Sequence, residues 1–109
     1  MITRDELLKK LTARIEHALG SRLKKLVLIG SMARRDDSPE SDYDCIVVVD
    51  AITPDLIDIL DEISGDLLYG YNSVFSIIPV SEERYLGQRF NPLFVNAGRE
   101  GIVLWPTRV

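Results

Sequence analysis

The 109-residue sequence holds one cysteine and one histidine, and no apolar run approaching the ~18 residues of a membrane-spanning helix. A single cysteine, Cys45, excludes a disulfide within the chain and argues for a reducing compartment. A lone His17, between Glu16 and Ala18, leaves a histidine-based metal site or a Ser-His-Asp triad without its other members. Basic residues are the minority, with 13 Lys and Arg against 17 Asp and Glu, for a net charge of −4. That balance excludes a broad non-specific nucleic-acid surface, which depends on clustered Lys and Arg. The N-terminus alternates charge and lacks the apolar core of a secretory leader, so the expected compartment is the cytoplasm. No repeat, low-complexity tract or linker interrupts the chain. Its length predicts one domain over residues 1–109, too small to carry a separate substrate domain.

What is present alternates between helical and extended patterns. Thr3, with Glu6 three residues on, caps a helix over 4–19 in which Leu7, Leu8, Leu11, Ile15 and Leu19 recur at helical spacing. Two apolar runs, 23–29 and 43–49, read as strands. Thr53-Pro54 starts a second helix, predicted to turn Leu56, Ile57, Leu60, Ile63, Leu67 and Leu68 inward. A third strand is expected over 73–80, a helix start at Ser81-Glu82-Glu83, a last helix from Pro92 to near Ala97, and a short strand over 102–105. The pattern predicts an α/β (α+β) fold, a mixed sheet of about four strands packed with helices.

The chemistry concentrates at one spacing: Gly30-Ser31, ten residues, then Asp42-Tyr43-Asp44. Each half abuts an apolar run, so the two strands would bring a Gly-Ser turn and two carboxylates to one end of the sheet. Glycine there lets backbone N–H groups approach a phosphate, and a helix N-terminus at Ser31 would add positive potential. Carboxylates at i and i+2 of a strand point to the same side, which suits a hard divalent cation. Two acids this close repel without a cation between them, so metal ligation explains them better than turn capping. Tyr43, between them, points away by strand parity. Arg34 could reach a phosphate or fix the loop through nearby acids, and Arg35 balances Asp36 and Asp37.

The segment from Gly30-Ser31-Met32-Ala33-Arg34 to Ser41-Asp42-Tyr43-Asp44 resembles the nucleotidyltransferase superfamily related to DNA polymerase beta, and within it the minimal single-domain (MNT) members. A weaker resemblance extends to the C-terminus, through Asn96 to Trp105. The resemblance implies a Mg²⁺-dependent (or Mn²⁺-dependent) enzyme that transfers a nucleotidyl group from an NTP, ATP first among them, to a hydroxyl. It implies Asp42 and Asp44 as catalytic metal ligands, and Gly30, Ser31 and Arg34 as nucleotide-binding residues. MNT proteins are often encoded beside HEPN-domain toxins, and some neutralise the toxin by nucleotidylating a tyrosine on it. A HEPN-type partner or a homo-oligomer is therefore expected, with no membrane partner.

One position departs from the family. Its catalytic members carry a third carboxylate on the next core strand, and here that strand has none; by register Ser76 takes the place. The departure keeps a second reading open, a non-catalytic protein that holds the nucleotide and occludes a partner. A small-molecule nucleotidyltransferase is less favoured, because those proteins usually add a helical substrate domain.

Overall fold

A computed structural model describes residues 2–30, 42–88 and 90–106. The first helix, α1 (Arg4–Leu19), starts where Thr3 accepts a hydrogen bond from the Glu6 N–H, and ends at Gly20, whose φ of 54° is left-handed. A single 3₁₀ turn leads into β1 (Leu23–Ile29), followed among the described residues by β2 (Tyr43–Val49). Then come α2 (Pro54–Tyr71), β3 (Phe75–Ser81), α3 (Glu82–Gly87), α4 (Pro92–Glu100) and β4 (Ile102–Trp105). Thr53, Ser81 and Asn91 each cap the helix that follows them. Arg22 donates to Thr53 and pairs with Asp55 at 3.2 Å, which ties the 3₁₀ turn to the start of α2. None of the described helices is long and apolar enough to cross a membrane.

The four strands form one mixed sheet in the order β3-β2-β1-β4, with β1 antiparallel to β2 and β4, and β2 parallel to β3. The parallel pair needs a crossover, and α2 supplies it. Strand parity then sorts the side chains. Tyr43, Cys45, Val47 and Val49 face α1 and α2, in a cluster with Leu26, Leu28, Phe75 and the inner stripes of both helices. Ile46 and Val48 face the opposite way, in a smaller cluster with Val27, Val80, Phe94 and Ala97. A register shift in the β1–β4 pairing leaves Leu104 as an extra residue on the edge strand.

Three local expectations change. Ile57 and Leu68 are exposed, not inward: the buried stripe of α2 is Leu56, Leu60, Ile63 and Leu67, and a neighbouring position lies 100° around the helix. The third strand begins at Phe75 and ends at Ser81, because Asn72 closes α2 in a left-handed conformation before the chain can extend. The last helix runs through Gly98 to Glu100, and stops where the Gly101 N–H bonds to the Ala97 carbonyl.

Candidate functional site

β1 ends where β2 begins, at one end of the sheet, and β3 starts beside them. The last row of that end is Ile29, Asp44 and Ser76: Ile29 pairs with Asp44 across β1–β2, and Asp44 with Ser76 across β2–β3. Residues directly paired across strands share a face. Between Tyr43 and Cys45, which face α1 and α2, Asp44 must face the other way, at the open end of the α3–α4 side. Asp42, two residues before it, is exposed just outside the strand.

Gly30 continues β1 with φ of 76°, in the left-handed region that favours glycine. A Cβ at this position would sit 2.9 Å from Asp44 Oδ2, too close for any real contact. The backbone angle requires the glycine, and an added Cβ would in addition make the end of the Asp44 side chain shift. Burial first, and the Asp42 charge second, hold the Asp44 carboxyl above the usual carboxylate range. A divalent cation between the acids would relieve both effects, and hard oxygen donors of this kind fit Mg²⁺ or Mn²⁺. Among the described residues no cluster of three or more His, Cys, Asp or Glu side chains adds to them.

Behind the acids, Cys45 is fully buried, and its thiol is pushed up to about 12 by burial and then by the Asp44 charge. It is a packing residue, not a nucleophile. Ser76 is exposed beside Asp44 and brings a hydroxyl where a third carboxylate would stand. Ser31 and Arg34, expected at the phosphates, lie outside the described residues.

One positioning feature escapes the sequence reading. On the opposite face Tyr43 stacks on Phe75, with ring centroids 4.5 Å apart and planes 14° apart. The stack pairs the first residues of β2 and β3, one position before Asp44 and Ser76, and so pins the register that sets those two side by side. The available signal is an aromatic at the first position of each strand.

A family model described as a nucleotidyltransferase domain matches residues 7–92. A Methanocaldococcus jannaschii protein, provisionally described as a protein adenylyltransferase, is 32% identical over 102 residues, covering 93% of this chain and 97% of that one. Among solved structures, a chain of a toxin–antitoxin with AMP-PNP aligns over 92% of this chain and 74% of its own, at a TM-score of 0.62 and 16% identity. A chain from the complex of a tri-AMPylated Shewanella oneidensis HEPN toxin with MNT antitoxin aligns over 96% of this chain and 74% of its own, at 0.59 and 15%. At such identities these likenesses carry the fold.

Proposed function

This chain belongs to the nucleotidyltransferase domain family, and from that premise we propose that it transfers an adenylyl group from ATP to a hydroxyl on a partner protein. The observation that carries the reading is the placement of Asp44 against Gly30, with Asp42 beside it, at the open end of the sheet. Asp42 and Asp44 would hold a divalent cation, which when bound neutralises the triphosphate and polarises the α-phosphorus. Gly30 lets the backbone approach the phosphates, where Ser31 and Arg34 are the further contacts expected from the sequence. The acceptor oxygen attacks the α-phosphorus in line, the bond to the bridging oxygen breaks, and pyrophosphate leaves. Ser76 is no base for the acceptor's proton, so solvent or a group on the partner takes it.

The acceptor class follows from the relatives. The M. jannaschii protein is described as acting on protein, and one structural neighbour pairs an MNT antitoxin with an AMPylated HEPN toxin. A HEPN-type partner with a tyrosine acceptor, and an antitoxin role, are the reading's most specific form. The cytoplasm, where ATP and reduced thiols coexist, is the compartment it requires. Ser76 also supports a second reading, in which the chain binds nucleotide and acts by covering its partner.

Incubation with α-labelled ATP, Mg²⁺ and a neighbouring-gene helical protein tests the two. Transfer of label to the partner supports catalysis; nucleotide binding with no label on any protein supports the second reading. Ser76→Asp sharpens the result. A third anion should strengthen divalent binding, lower the melting temperature in EDTA, and raise any transfer. A variant whose melting ignores divalent ions removes Ser76 from the site.

A further inference from the structure

Of the four tyrosines, three have their rings engaged. Tyr43 is buried in its stack on Phe75, and Tyr85 packs on Phe94, ring centroids 5.2 Å apart, with the Lys25 ammonium over its ring. Tyr71 lines a groove of about 340 Å³ between α1 and α2. Tyr69 differs from all three: it is 96% exposed, on the last turn of α2. It stands two positions from the buried Leu67, about 200° around the helix, so its phenol points away from the sheet. Other hydroxyls are committed to the fold. Thr3, Thr53 and Ser81 cap helices, Thr12 donates to the Leu8 carbonyl and Ser73 to the Tyr71 carbonyl.

We propose that Tyr69 is itself an acceptor of the nucleotidyl group, modified by a second copy of the chain. The inference rests on the transfer reading and adds an acceptor to it. The chemistry favours a phenol. With Ser76 in place of a third carboxylate, no base stands beside Asp44, and a phenol releases its proton more readily than an aliphatic alcohol. The surroundings favour approach. From Leu67 to Ser81 the chain has no charged residue, and Leu68 and Val74, on either side of the tyrosine in sequence, are 49% and 45% exposed. The nearest acid in sequence, Asp66, is paired with Arg14 at 2.9 Å. Lys10, Arg14 and His17 line the groove that Tyr71 closes, and among the described residues no acid does. A site holding two acids and a triphosphate is anionic, so it meets neutral or cationic surface here, not the unpaired acids earlier in α2. The fold excludes transfer within one copy: α2 covers the face of the sheet opposite Asp44, and Tyr69 points away from that sheet. In the step, Tyr69 Oη attacks the α-phosphorus in line, the bond to the bridging oxygen breaks and pyrophosphate leaves. The phenol proton passes to solvent, and the product is a phosphodiester between AMP and the tyrosine.

The full chain, incubated with α-labelled ATP and Mg²⁺ and no other protein, should take up label, and mass spectrometry should map it to Tyr69. Labelling per chain should quicken as chain concentration rises. A mixture of two variants decides the direction of transfer. Asp44→Asn keeps the acceptor and loses the site, whereas Tyr69→Phe keeps the site and loses the acceptor. Circular dichroism checks that both fold. Each by itself should lose labelling, and the equimolar mixture should label the Asp44→Asn copy at Tyr69. Label on another residue overturns the proposal, as does a rate per chain that ignores concentration. A mixture no better than either variant by itself overturns it too. If the chain stays unlabelled while the neighbouring-gene helical protein takes label, this proposal fails and the transfer reading stands. If neither takes label, the transfer reading fails with it.

Discussion

The two faces of the sheet serve different ends. Under α1 and α2, seventeen described residues form one continuous buried cluster; under α3 and α4 the cluster has six. The larger face runs the full length of the strands and closes both ends, with Tyr43 and Phe75 stacked at the end that carries the acids. The smaller face ends on a row that is not all apolar: Ile29 packs against its cluster, Asp44 is half-buried and Ser76 is exposed. Under the proposed function, one sheet separates two demands that conflict at a single place: apolar burial for stability, and a partly desolvated carboxylate for metal and phosphate. The lesson is a division of labour by strand parity, one residue pointing into the core and the next into the site.

The comparison breaks first at the larger face. Leu11 is fully buried between α1 and the sheet, and Leu11→Ala should lower stability by about 2–5 kcal/mol in thermal unfolding. Binding of ATP by the fraction still folded should be unchanged. Gly30→Ala, at the boundary of the smaller face, should cost about 1–2 kcal/mol for a left-handed alanine. It should also weaken divalent binding, because the new methyl displaces Asp44 Oδ2. A loss of stability with metal binding intact would show that Gly30 serves the turn alone.

The smallest effect carries a sign. The folded state holds the Asp44 carboxyl above its reference value of 3.8, so it favours the protonated form. That contribution to stability is present below the unfolded pKa and lost as pH rises through the folded one. Metal-free wild type at neutral pH therefore carries the full penalty, and Asp44→Asn, which has no charge, should melt slightly higher there. The difference should vanish in acid, as melting curves across pH would show.

Much of this was legible in the sequence. Capping at Thr3 and Thr53, and apolar runs bounded by Gly20, Gly30 and Asp50, locate α1, β1, β2 and the start of α2, because each boundary is written locally. The depth of Ile57 and Leu68 was not legible, since helical spacing alone does not say how wide a stripe the neighbours will cover. The place of Ser76 opposite Asp44 comes from the family resemblance, and the structure bears it out; counting from the expected strand starts at 43 and 73 would set Val74 there, because the strand begins only at Phe75. The contact of Asp44 with the Gly30 backbone and the Tyr43–Phe75 stack required coordinates, as did the groove between α1 and α2, because each joins residues far apart in the chain.

The central claim, that Asp42 and Asp44 beside Gly30 form a metal-dependent nucleotide site, is tested most directly by calorimetric titration of ATP into the chain with Mg²⁺, into the chain with EDTA, and into Asp44→Asn with Mg²⁺. The account predicts substantial binding in the first titration and loss of the Mg²⁺-dependent part in the other two, with the variant folded. Equal binding in all three would contradict it.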